Sequence, residues 1–325
     1  MQTKYLILFI IIISISIISC DDSEEGPTSP PAAIKFENPR EVTIVGYTGD
    51  TMEPFISRDG SILFFNNLNS GTLPNGNEND TDIHYALRID DVTFQYKGKV
   101  IGASGDEVPG TNELEGVPNM DKNNKFYFIR TTDYFDQSSP NYLLSIFRGD
   151  FNNGALTNIE SLPNLKNNRP ANQPPIPGEL NFDAEISYDG NIFYFAEGIF
   201  SGKPFPDESN FGVAENINGI WRVKANSSEE FAAINSDALE YAASISTDML
   251  ELYFTRAEGS LETGFDFGVF VATRSAVTDV WSNVSKIEAI SGIITEAPSI
   301  SFNGKLLYYH QRISDVFKIY VVERE

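Results

Sequence analysis

Cysteine occurs once in 325 residues, histidine twice and tryptophan twice, and 23 basic side chains face 46 acidic ones. A single thiol leaves no disulfide framework, so burial must hold the fold. The two histidines, His84 and His310, stand far apart, and neither has the second ligand nearby that a zinc site needs. A packing role suits both. The net charge of −23 repels nucleic acid and anionic lipid surfaces. Long helical periodicity is missing, as are a Walker loop, a Gly-x-Ser-x-Gly elbow and a His-Glu-x-x-His helix. One long apolar run exists, Leu6 to Ile18, broken by Ser14 and Ser16. It falls short of the roughly 20 residues that a membrane-spanning helix needs.

That run, behind Lys4, fits the core of a signal peptide over residues 1–19. It ends in Ile17-Ile18-Ser19-Cys20, which resembles a loose lipobox. The resemblance implies cleavage before Cys20, acylation of its thiol and a membrane partner through the lipid. Loss of Lys4 would take the net charge from −23 to −24. Residues 20–34, with Asp21-Asp22-Ser23-Glu24-Glu25 and then Pro27, Pro30 and Pro31, form an extended solvated linker. The acid cluster also resembles the export tag of Bacteroidota surface lipoproteins, which implies an outer-membrane lipoprotein exposed at the cell surface. The folded body then covers residues 35–325.

What the body has in abundance is a repeat. The stretch Glu53-Pro54-Phe55-Ile56-Ser57-Arg58-Asp59-Gly60, followed by the apolar Ile62 to Phe65, reads as strand, tight turn, strand. Copies of the turn fall at Asp121, Ser187, Ser246 and Ser301, spaced 64, 66, 59 and 55 residues apart from Ser57 onward. Each precedes an apolar-aromatic strand. A third strand ending in a basic residue follows in each repeat: Asp82 to Arg88, Tyr142 to Arg148, Gly219 to Lys224, Gly268 to Arg274 and Val316 to Arg324. Fourth strands are expected near Phe94 to Ile101, Ala155 to Leu162, Glu230 to Ile234 and Trp281 to Ile287. Four strands per repeat make a propeller blade. The last repeat lacks a fourth strand, which Glu41 to Gly46 would supply. The expectation is an all-β, five-bladed β-propeller closed by an N-terminal strand pairing into the last blade.

The pattern Pro54/Ser57/Asp59/Gly60 and Pro298/Ser301/Asn303/Gly304 resembles the TolB-type, WD40-like propeller repeat. The resemblance implies a fold and no chemistry. Long segments on one face, Asn67 to Thr81, Gly102 to Asn112, Thr131 to Asn141, Leu165 to Gly178, Glu197 to Asn218 and Arg256 to Phe267, are expected as loops where binding resides. They carry aromatic side chains, among them Tyr134, Phe135, Phe200, Phe205, Phe211 and Phe265, suited to stacking on sugars or a protein partner or to covering blade edges.

An acid also precedes each turn anchor by four to six residues: Glu53, Glu115, Asp183 with Glu185, Glu240 and Glu296. A five-fold ring would gather these candidate ligand-binding residues at one mouth of the channel. Uncompensated, they shift one another's pKa or recruit a metal; alternatively each caps backbone amides or pairs with a basic strand end such as Arg88 or Arg274. No catalytic residue and no cofactor is assigned. Calcium is the one ion with a candidate loop, Asn75-Gly76-Asn77-Glu78-Asn79-Asp80-Thr81-Asp82, which lacks the glycine and terminal Glu of an EF-hand. On these grounds the expected function is a non-catalytic binding or interaction module with a protein or carbohydrate ligand. The alternative is a glycoside hydrolase acting on a plant-type polysaccharide, because some five-bladed propellers are furanosidases. Their base is typically an Asp followed by Pro in the first blade, where this chain has Glu53-Pro54.

Overall fold

A computed structural model describes residues 34–68, 81–102, 114–131, 146–162, 165, 178–201 and 205–325. β1 (Phe36–Glu41) and β2 (Thr43–Val45) open the described chain. Five antiparallel groups follow: β3 (Met52–Ile56), β4 (Ile62–Asn66), β5 (Ile83–Arg88) and β6 (Thr93–Lys99); β7 (Leu114–Met120), β8 (Lys125–Thr131), β9 (Ile146–Asn152) and β10 (Ala155–Ser161); β11 (Glu179–Ile186), β12 (Ile192–Ile199), β13 (Glu208–Ile217) and β14 (Ile220–Val223); then, after the one-turn α1 (Ser227–Glu230), β15 (Leu239–Ile245), β16 (Glu251–Ser260), β17 (Gly264–Thr273) and β18 (Ser282–Lys286); and last β19 (Ile293–Ile300), β20 (Leu306–Ile313) and β21 (Val316–Arg324). A parallel pairing of Ser209 with Leu239 joins the third group to the fourth. The fold is an all-β propeller.

The turn residues explain why each group begins as it does. Ser57 Oγ accepts the Ile62 N–H at 2.9 Å and donates to Asp59 Oδ1 at 2.6 Å, while Asp59 Oδ1 also accepts the Ser61 N–H at 3.0 Å. Gly60 closes the turn at φ +72°, where a side chain would be strained. The same clasp recurs at Ser187 with Asp189, Ser246 with Asp248 and Ser301 with Asn303. In the second group Asp121 takes over, its Oδ1 accepting the N–H groups of Asn123 and Lys125 at 2.7 and 2.9 Å.

The apolar strand after each turn is buried on both faces, because propeller sheets pack against neighbours on either side. Phe64, Phe126 and Phe151 meet between the first two groups with ring centroids 5.0 to 5.8 Å apart. Tyr194, Phe231 and Trp281 are buried between the third and fourth.

Closure is achieved by a strand upstream of the expected one. β1 pairs antiparallel with β21, from Phe36 opposite Arg324 to Glu41 opposite Tyr320, and β2 leaves it to pair in parallel with β6. Glu37-Asn38-Pro39 disguises the strand: Asn38 takes φ +54° at a register shift, and Pro39 is tolerated because β1 is an outer edge. The third group also departs from expectation. Its third strand is β13, lying in the segment expected as a loop; Gly219 to Lys224 forms the fourth, and Glu230 to Ile234 lies at the end of a helical turn. Arg256 to Phe267 is likewise a continued hairpin of β16 and β17.

Candidate active site

Every inner strand shifts register at one level: between Met52 and Phe55, Gly116 and Asn119, Asn181 and Asp183, Tyr241 and Ser244, and Glu296 and Ser299. Glu53, Val117, Ala242 and Ala297 sit there with φ between +48° and +53°. Such bulges re-aim side chains. The inner strand has a neighbour on one side only, so Pro54, Pro118 and Pro298 forfeit no ladder hydrogen bond by lacking an N–H. The bulges surround an axial cavity of about 30 Å³ lined by Glu53, Asn119, Asp183, Glu185, Ser244 and Ser299, among others.

Three of the expected acids come together. Glu53 Oε2 accepts the Val117 N–H at 2.9 Å, bending over Gly116, where a Cβ would stand 3.0 Å from that oxygen. Asp183 Oδ2 accepts the Ala242 N–H at 3.3 Å. Burial pushes Glu53 upward, against the pull of Val117 and Asn66. Burial first, then the charges of Glu53 and Glu296, raise Asp183 well above its ordinary value, against the pull of the Ala242 N–H. Burial lifts Glu296 to about 8, opposed by the adjacent Tyr241 hydroxyl. At neutral pH Glu296 therefore keeps its proton.

His310 and Tyr241 complete it. The Glu53 N–H donates to His310 Nδ1 at 3.0 Å, so that nitrogen carries no proton and, in the neutral ring, Nε2 does. Nε2 faces Glu296 Oε2 at 3.7 Å, beyond hydrogen-bond reach. Burial lowers the His310 pKa to about 3, so the ring is neutral. The Tyr241 hydroxyl is buried beside Glu296 without a hydrogen bond of ordinary geometry.

The other expected acids serve the framework. Glu185 lines the cavity but accepts from Arg58 Nη2 at 3.0 Å, from the Ile245 N–H at 3.1 Å and from Asn119. Arg58 reaches across from the first turn and also donates to the Met120 and Ile186 carbonyls. Glu240 caps Ser236 and pairs with Arg256 at 2.8 Å. Glu115 is buried on β7 opposite Arg130, away from the cavity lining. These three do not join the cluster.

The structure settles several remaining candidates. His84 packs as expected, stacked on Phe65 and bonded to the Tyr96 hydroxyl at 2.9 Å. Phe200 and Phe211 are buried, and Phe205 packs on Phe265, so none of the four is a free stacking platform. Tyr134, Phe135, Cys20 and residues 75–80 of the calcium loop lie outside the described residues. Thr81 and Asp82 are described, and Asp82 pairs with Lys99 at 2.6 Å. Among the described residues no group of three or more His, Cys, Asp or Glu side chains is arranged to hold a metal.

No protein-family profile and no curated protein matches the sequence. Solved structures do match. A glycoside hydrolase superposes with a TM-score of 0.61 at 12% identity, covering 90% of this chain and 92% of that one. An exo-β-1,3-galactanase from Phanerochaete chrysosporium, solved with β-1,3-galactotriose, gives 0.53 at 12% identity, covering 90% and 64%. A family 117 glycoside hydrolase from the marine bacterium Zobellia galactanivorans gives 0.52 at 10%, covering 90% of each. This is a fold that glycoside hydrolases use.

That finding corrects the family expectation. The neighbours are propeller hydrolases rather than TolB-type or WD40-like lipoproteins, and the reading as a non-catalytic binding module falls with the resemblance. The physical reason is visible in the turns. Ser57, Asp59 and Gly60 clasp a hairpin, which any propeller can need, so the motif identifies an architecture and no family. Nothing in the comparisons supports the lipoprotein expectation either. Sequence reasoning gave His310 a packing role only and passed over Tyr241. The place of His310 was legible by counting outward on both sides of the Ser301 turn, since it pairs across the hairpin with Glu296.

Proposed function

We propose that the chain is a glycoside hydrolase whose reacting carboxyls are Glu296 and Glu53, with Asp183 beside them. The observation that carries this is a cluster of three carboxyl groups, largely withdrawn from water and none paired with a cation, beside an axial cavity that Glu53 and Asp183 line. Glycoside hydrolysis needs a carboxylic acid to protonate the leaving oxygen and a carboxylate to supply or activate the nucleophile. Glu296, with its pKa near 8, keeps its proton at neutral pH and suits the acid. Glu53 is assigned the carboxylate, because Val117 and Asn66 both stabilise its charged form. Asp183 sits in the field of both, so its own ionisation follows theirs. A cavity of about 30 Å³ has room for one water. Glu53 would take a proton from that water as it attacks the anomeric carbon, while Glu296 protonates the departing sugar oxygen.

The substrate class proposed is a plant-type polysaccharide. Purified protein is to be incubated with arabinan-, xylan- and β-1,3-galactan-type polymers and the released sugars measured. Glu296→Gln and Glu53→Gln should each lower the rate by about 10²- to 10⁴-fold, the range set by loss of a general acid or base. Wild-type protein that releases no sugar from any of them, or amide variants as active as wild type, would overturn the assignment.

A further inference from the structure

We infer that His310 is a positioning residue: a neutral imidazole, protonated on Nε2, that holds the Glu53 peptide through Nδ1 and offers Nε2–H to the Glu296 carboxylate once that group loses its proton. The inference rests on the hydrolase reading only for what the two acids do; the tautomer and its bridging role stand on geometry. A backbone N–H can only donate, so the 3.0 Å contact from Glu53 fixes Nδ1 as the acceptor. The ring is fully buried, stands edge-on to Phe317 with centroids 5.4 Å apart, and has no hydrogen bond at Nε2. An orphaned buried donor is costly, so it marks a place where a partner forms. Glu296 Oε2, at 3.7 Å, is the acceptor it faces. Protonated Glu296 needs no such donor, and ionised Glu296 does. His310 thus couples the backbone at one reacting acid to the charge state of the other.

The Glu53 side of the bridge has a reason as well. Glu53 sits at φ +48°, a conformation that bulk at Cβ opposes, and the bond from its N–H to His310 ties that peptide to β20. Its carboxyl is thereby carried over Gly116 to the Val117 N–H. Besides Glu53 and Glu296, the titratable groups around this cluster are Asp183 and Tyr241.

Two measurements on ¹⁵N-labelled full-length protein test the inference without any substrate. Long-range ¹⁵N–¹H spectra should show a His310 ring that stays neutral and Nε2-protonated from pH 5 to 9, identified by its disappearance in His310→Asn. Infrared spectra should show a protonated buried carboxyl, absent in Glu296→Gln, that ionises as pH rises. In His310→Asn the amide oxygen can replace Nδ1 as acceptor while nothing replaces Nε2–H, so Glu296 should ionise about one to two pH units higher. If His310→Asn does not fold, Glu296→Gln serves instead: its His310 Nε2–H resonance should no longer shift over the pH range in which it shifts in the wild type. An Nδ1-protonated ring, a His310 titration near pH 6.5, or a Glu296 ionisation unmoved by His310→Asn would each overturn the bridge. Absence of sugar release would overturn the hydrolase reading and leave these results standing.

Discussion

At the scale of single residues, what decides the site is the partner across each hairpin. Glu115 faces Arg130 and Glu240 faces Arg256. Asp183 faces Ala196, and Glu296 faces His310, a ring that burial keeps neutral. Acids opposite arginine become framework; of those opposite uncharged groups, Glu185, across from Tyr194, is claimed by Arg58, while Asp183 and Glu296 find no cation and burial raises their pKa. The ring of acids was therefore legible in the sequence, whereas its division needed the register, which the bulges shift by a residue. A pH dependence follows. Glu296 has a folded pKa of about 8 against an ordinary value of 4.5, so between these pH values the folded protein binds a proton that the unfolded chain has released. Stability contributed by the neutral form is full below about pH 4.5 and is lost as pH rises toward 8. Asp183 and Glu53 act in the same direction. Urea unfolding should show wild type losing stability, by an amount on the order of a few kcal/mol, between pH 5 and 8. Glu296→Gln should flatten much of that slope and be the more stable protein at pH 8. Equal slopes would show that Glu296 ionises in the fold as it does in water.

At the scale of elements, the hairpins announced themselves, as did the outer strands β6, β10 and β18, whereas the outer half of the third group and the closing strand β1 did not. Inner and second strands flank a turn whose Ser, Asp and Gly each have a bonding job, and they alternate or run apolar as buried strands must. β13 escaped notice because Glu208, Asn210 and Gly212 break up its apolar positions, although Phe211 and Val213 are fully buried. The position after the turn anchor hides another element-level device. Arg58, in that position, leaves its own turn and bonds to the second and third groups, to Met120, Glu185 and Ile186. No local pattern foretells a side chain that crosses the axis. Replacing it alone strands a buried carboxylate, so Arg58→Met should cost about 3 to 5 kcal/mol. Arg58→Met with Glu185→Gln should recover part of that loss, because the amide needs no counter-charge. Both follow from chemical denaturation midpoints at constant m, and a single variant within about 0.5 kcal/mol of wild type would show that the pair is not what holds these groups together.

At the scale of the whole molecule, the first described strand pairs with the last. β1 satisfies the edge of β21 from Arg324 to Tyr320, and Phe36 is buried 5.9 Å from the Tyr253 ring, under Arg324. The Val42 N–H then donates to the Ile319 carbonyl at 2.9 Å before β2 crosses to β6. A propeller whose ends are not joined exposes strand edges and lets its first and last sheets separate. Truncation through Glu41 should therefore cost more than the roughly 1.5 to 3 kcal/mol of burying Phe36 alone, because it also frees the β21 edge. We expect a melting temperature lower by about 5 °C or more than that of a protein truncated through Ala33, and concentration-dependent aggregation through the exposed edge. Phe36→Ala in the full chain separates the two contributions: it removes the side chain and leaves the pairing, so it should lower the melting point without promoting aggregation. If truncation through Glu41 melted with the Ala33 protein, the ring would be held by packing between neighbouring sheets, and the pairing of its ends would carry no stability.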